Sequence, residues 1–129
     1  MSENSMYIPN LIPKEAQENP YLAYKLTGTN AEEPLEITPT TAKTDAVWGF
    51  ADDPAYLGQY IKLQVPGFRR DVLVDGAVAI GAALTLSATS PGYLTTAASG
   101  DAIVAMALEA SATEGKISAV TYQPGQEAA

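Results

Sequence analysis

The stretch from Asp71 to Tyr122 constrains the fold most, because it is apolar and yet repeatedly broken by glycine. It runs through VLVDGAVAIGAALTLS, SPGYLTTAASG and DAIVAMALEASATEGKISAVTY, punctuated by Asp-Gly, Pro-Gly, Ser-Gly and Glu-Gly. Ala77 to Ala83 has the composition of a buried helix. Gly76 and Gly81 would each cost a helix about 1 kcal/mol relative to alanine, and the apolar residues keep no 3.6-residue period. The stretch therefore reads as short strands, Ala77 to Ala83 included, separated by turns. Asp75-Gly76, between two apolar runs, reads as a hairpin turn. Ile103 to Leu108 is apolar on both faces and is expected at the centre of the core.

An earlier segment repeats this text loosely. DAVWGFADDPAYLGQYIKLQVPG lies over DAIVAMALEASATEGKISAVTYQPG, with Asp45 on Asp101, Ala46 on Ala102, Val47 on Ile103 and Ala51 on Ala107 at one offset. Upstream, Thr40 and Ala42 fall on Thr96 and Ala98. One inserted residue then brings Gly58 onto Gly115, and a further gap brings Pro66-Gly67 onto Pro124-Gly125. An internal duplication of about 40–67 and 96–125 is expected, each copy a strand, a turn and a second strand. In the first copy Ile61, Leu63 and Val65 alternate with Tyr60, Lys62 and Gln64, the pattern of a half-buried strand. Trp48 and Phe50 share a strand face and read as core. PGFRRD bends the chain back and is expected to leave Arg69 and Arg70 exposed beyond the bend.

Residues 1–34 are expected to form an extended N-terminal arm and linker. Pro9, Pro13 and Pro20 argue against a long helix or a central strand, while Met6, Tyr7, Ile8, Leu11 and Ile12 are more apolar than a solvating tail requires. YLAYKL, from Tyr21, is one strand or one helical turn, and GTNAEEP after it is turn chemistry. Residues 35–122 are expected to form the β-domain, opening on a short strand at Leu35 to Thr38, and 123–129 a mobile tail. The fold class is all-β: a small single-domain β-sandwich or β-barrel-like fold carrying the arm.

A chain of 129 residues has room for one domain of this kind. Its net charge of -8, with only 7 Lys and Arg, argues against nucleic-acid contact and would repel anionic membrane surfaces. The absence of cysteine excludes disulfides and thiolate metal sites and fits synthesis in a reducing cytoplasm. The first twenty residues lack the basic and apolar regions of a secretion signal, and no apolar run is long enough to span a membrane. With no histidine or cysteine there is no ready pairing of base and nucleophile. Asp52-Asp53, before Pro54, read as the start of a turn and lack the spaced ligands of a calcium loop. The glycines follow no nucleotide-binding spacing. No enzyme, cofactor or metal is expected, and the partner is expected to be a protein.

The second half resembles the capsid decoration, or head cement, proteins of tailed bacteriophages, in which a "G-D-x-hydrophobic-x-G-x-A" segment precedes an acidic or alanine-rich turn, a glycine and a closing strand. Gly100, Asp101, Ile103, Ala107, Gly115 and Ile117 match that order, and Ala105 stands where glycine is more usual. The resemblance implies a structural virion protein that binds the outer capsid surface, commonly as a homotrimer, and stabilises contacts between major capsid protein subunits. Met6, Tyr7, Ile8, Leu11, Ile12, Tyr21, Tyr24, Arg69 and Arg70 are the candidate contacts for the capsid or for neighbouring copies. The alternative is a small ligand- or carbohydrate-binding adhesion domain, for which Trp48, Tyr56 and Tyr60 are the available aromatic cluster.

Overall fold

The computed structural model describes residues 6–27 and 35–122, and these described residues form ten strands. In chain order they are β1 (Tyr7–Pro13), β2 (Ala23–Leu26), β3 (Leu35–Pro39), β4 (Gly49–Phe50), β5 (Ile61–Gln64), β6 (Arg69–Val74), β7 (Ala83–Leu86), β8 (Leu94–Thr96), β9 (Ala105–Ala107) and β10 (Gly115–Thr121). They close into two five-stranded barrels, in the order β1-β3-β2-β4-β5 and β10-β6-β8-β7-β9. Among the described residues there is no α-helix, and the all-β class is the observed one.

The two barrels are wired identically. β1 runs parallel to β3 and antiparallel to β5, as β6 does to β8 and β10. β2 bridges β3 and β4 antiparallel, as β7 bridges β8 and β9. Phe50 faces Gln64 across β4–β5, and Met106 faces Val120 across β9–β10. The offset that relates Asp45 to Asp101 therefore runs from β4 through β5 onto β9 and β10, and the inserted residue expected between them is not needed; the expected match of Pro66-Gly67 to Pro124-Gly125 lies outside the described residues. By strand register Gln59, not Gly58, takes the place of Gly115.

Matching aspartates hold matching loops. The Asp45 carboxylate accepts from the amides of Thr41 and Ala42 and from Lys25 Nζ at 3.0 Å. The Asp101 carboxylate accepts from the Ala98 amide and from Lys43 Nζ at 3.0 Å. Burial pushes the Asp45 carboxyl up, but the two amides and Lys25 outweigh it and leave its pKa below the ordinary value. The Ala98 amide and then Lys43 lower Asp101. Each carboxylate thus binds its proton more weakly when folded, so its contribution is present above the unfolded carboxyl pKa and is lost as pH falls through the lower folded value. Thermal melts at pH 5 and below are expected to show a falling Tm that is shallower in the Asp45→Asn, Asp101→Asn double variant. An unchanged slope in that variant would count against this capping role.

The described part of the expected arm, residues 6–27, instead contributes β1 and β2 to the first barrel. Residues 7–13 pair along both edges, and the boundary expected at 34/35 falls inside a barrel rather than between units. The prolines are accommodated because the β1–β5 register shifts between Ile8 and Leu11. Pro9 sits in that bulge, beside Asn10 at φ +62°, a conformation asparagine tolerates better than most residues, and Pro13 ends the strand. YLAYKL resolves as strand at Ala23–Leu26. Of Ala77 to Ala83 only Ala83 is in a strand: Val78 makes an isolated bridge to Ser111 and Gly81 turns the chain at φ +82°. Asp75-Gly76 is no hairpin, since β6 and β7 do not pair; the Asp75 carboxylate instead accepts from Ser87 Oγ at 2.6 Å. The expected GTNAEEP turn and the 123–129 tail lie outside the described residues.

Two apolar clusters fill the barrels, and each borrows from the other. The second contains Val72, Val74, Leu84, Leu86, Leu94 and Ile117 together with Ala23 and Phe50 from the first barrel. The first contains Leu11, Leu22, Tyr24, Ile37 and Leu63, with Leu73 and Tyr93 of the second barrel packed against it. Burying Phe50 to 1% exposure contributes about 1.5–3 kcal/mol.

Candidate functional site

The seam between the barrels is built around Arg70. The strand alternation of β6 points Arg70, Val72 and Val74 to the buried face. Arg70 Nη1 donates to Phe50 O (3.3 Å) and Gln64 Oε1 (3.1 Å), Nη2 to Ala51 O (2.7 Å) and Asp52 Oδ1 (2.8 Å), and Nε to Asp71 O (3.0 Å). Tyr7 OH donates to the other Asp52 oxygen at 2.7 Å. Burial pushes the Arg70 pKa down and Asp52 opposes it. The same network explains why Gln64, expected on the wet face of its strand, is buried.

This burial removes three of the candidate contacts from any partner. Arg70 is 8% exposed, while Leu11 and Tyr24 are enclosed in the first core. The Tyr24 hydroxyl has no hydrogen-bond partner among the described residues, and burial pushes its pKa up to about 12. Met6, Tyr7, Ile8, Ile12 and Tyr21 are half-buried, with Ile8 packed on the core and the Tyr21 ring 5.7 Å from Lys116 Nζ. Arg69 alone of the nine is exposed.

Among the described residues, three of the five exposed large hydrophobic side chains lie together on the loop between β4 and β5. Tyr56, Leu57 and Tyr60 are 59%, 67% and 67% exposed. The loop is held at both ends. Ala55, 1% exposed, exchanges two backbone hydrogen bonds with Gln17, and Ile61 pairs with Leu11 at the start of β5. Between them the Gln59 amide donates to Tyr56 O at 3.1 Å, and Gly58 supplies the φ of +80° that this turn requires. Tyr56 and Tyr60 thereby both face an open cavity of about 410 Å3, completed by Asp53, Pro54, Ile61 and Lys62. Trp48 does not join them: it is half-buried against the first core, so the aromatic trio expected from the sequence is a pair. Among the described residues no group of three acidic, histidine or cysteine side chains could hold a metal ion.

These features define an all-β chain of two like-wired barrels fused along a polar seam. No protein-family model matches the sequence, and no curated protein matches it. The fold is similar to that of the head fiber gp8.5 N base of bacteriophage phi29, with a TM-score of 0.71 over 95% of this chain and 99% of that one at 14% identity.

Proposed function

We propose that this protein is a structural component of a bacteriophage virion, bound to the outside of the head and contacting the major capsid protein. The observation that carries the reading is the whole-chain fold likeness to a phage head fiber base. The resemblance of the Gly100–Ile117 segment to head-cement proteins supports it independently. In this reading copies associate, as a homotrimer, and brace neighbouring capsid subunits. With Tyr7–Pro13 committed to the first barrel, the grip comes from preformed surface rather than from that segment adding to a capsid sheet. Several modest contacts presented by one oligomer then reinforce each other through effective concentration.

Mixing the purified protein with candidate phage heads stripped of accessory proteins is expected to give co-sedimentation that saturates at a fixed number of copies per head. Protein that stays in the supernatant at all ratios would overturn the reading. Light scattering of the free protein tests the trimer separately.

A further inference from the structure

We propose that the cavity walled by Tyr56 and Tyr60 is a binding site for a neutral carbohydrate. The inference stands apart from the head-binding reading, because it rests on a comparison the molecule makes within itself. The single offset that carries β4 and β5 onto β9 and β10 places Ala112, Thr113 and Lys116 where the first barrel has Tyr56, Leu57 and Tyr60. Both loops follow the same isolated bridge, Gln17 to Ala55 in one barrel and Val78 to Ser111 in the other. The second barrel closes with small and polar residues at this place, so the fold does not require two exposed tyrosines and a leucine there. Grouped on one loop, they form the kind of contiguous exposed apolar patch that marks a binding surface.

The chemistry of the walls selects the ligand class. Two phenol rings offer apolar faces to the C–H faces of a pyranose, each with a hydroxyl at its tip. Among the described residues neither hydroxyl, nor the exposed Asp53 carboxylate, has a hydrogen-bond partner, so all three are uncommitted. Lys62 lines the same cavity, with its Nζ 4.6 Å from the centre of the Tyr7 ring. A carboxylate acceptor and hydroxyl groups that both donate and accept match sugar hydroxyls. The volume of about 410 Å3 lies within the roughly 300–1,000 Å3 range of small-ligand sites. The net charge of -8 and Asp53 at the rim disfavour sialylated, sulfated or phosphorylated ligands. The loop is clamped at Ala55 and Ile61, so little ordering is left to be done on binding.

The test is an array of immobilised neutral and anionic glycans, followed by titration of the neutral hits against the full-length protein. The expected result is saturable binding to a neutral glycan that weakens by about tenfold in Tyr56→Ala and in Tyr60→Ala. Ile80→Ala, at a site 71% exposed on the other barrel, is expected to bind as the unaltered protein does. Thermal melts matching the unaltered protein establish that the tyrosine variants fold. Binding to no glycan, binding to anionic glycans only, or undiminished binding by both tyrosine variants would each overturn the proposal. So would loss of head sedimentation in Tyr56→Ala without any glycan binding, which would make the loop a protein-docking surface.

Discussion

Arg70→Gln is expected to lower the unfolding free energy by about 3–5 kcal/mol, since three buried acceptors lose their donor at about 1–3 kcal/mol each and the shorter amide replaces it for one of them at most. The loss does not come chiefly from the Asp52 ion pair, because that carboxylate side chain is 39% exposed and solvent screens it. It comes from the acceptors left behind: the carbonyls of Phe50 and Ala51 and the Gln64 amide, each buried and facing the space the guanidinium filled. Arg70→Lys is expected to recover little, since one ammonium cannot span acceptors on two sides of a planar fork. Asp52→Asn is expected to cost about 1 kcal/mol or less. Urea unfolding checks the series, with Trp48 fluorescence reporting the first barrel and far-UV circular dichroism reporting both. Because Arg70 belongs to the second barrel and its acceptors mostly to the first, the two signals should move together. A lysine variant as stable as the parent would refute the account.

The sequence makes some of this readable and hides the rest for identifiable reasons. The all-β class follows from glycines at 76 and 81 that would each weaken a helix and from the missing 3.6-residue period, although the chain there is bridge and turn rather than strand. Ile61 and Leu63 announce their strand by alternation, and the residues from Leu35 to Pro39 do so by their boundaries. β1 is hidden because Pro9 reads as a strand breaker, and only a bulge with asparagine in the left-handed region reconciles it with pairing on both edges. Arg70 is hidden by its neighbour: a pair of arginines after Pro-Gly looks like a solvated turn. Carrying the alternation of Val74 and Val72 back by one more step places Arg70 inside and Arg69 outside. The tyrosine cavity is masked by the gap introduced to align Gly58 with Gly115. An ungapped comparison sets Tyr56 against Ala112 and exposes the difference, because the alignment of two copies distinguishes what the scaffold needs from what one copy has added.

Gly92→Ala is expected to destabilise by about 2–5 kcal/mol, through two causes that a second glycine separates. Gly92 has φ +79°, where an L side chain costs about 1–2 kcal/mol. It also bonds backbone to backbone across the seam, its amide donating to Thr40 O and its carbonyl accepting from the Ala23 amide, both at 2.9 Å. A methyl group there would lie 2.8 Å from Leu22 Cβ and 2.9 Å from Leu22 Cδ2. Rotating the leucine relieves the second contact but not the first, so the backbones must part, and overpacking of this kind costs about 1–3 kcal/mol more. Gly81 has nearly the same backbone, φ +82°, with no heavy atom within 4 Å of an added methyl, so Gly81→Ala measures the conformational cost alone. The two variants, compared by urea unfolding, should differ by the cost of pushing the barrels apart. Amide exchange sharpens the outcome: in Gly92→Ala the Ala23 amide, which Gly92 holds directly, should lose protection before the Val104 amide, which bonds to Leu84 O within the second barrel. Equal destabilisation by the two substitutions would mean that the seam has slack to admit a methyl group, and that the barrels are held together by Arg70 and their shared apolar clusters without close backbone contact at Gly92.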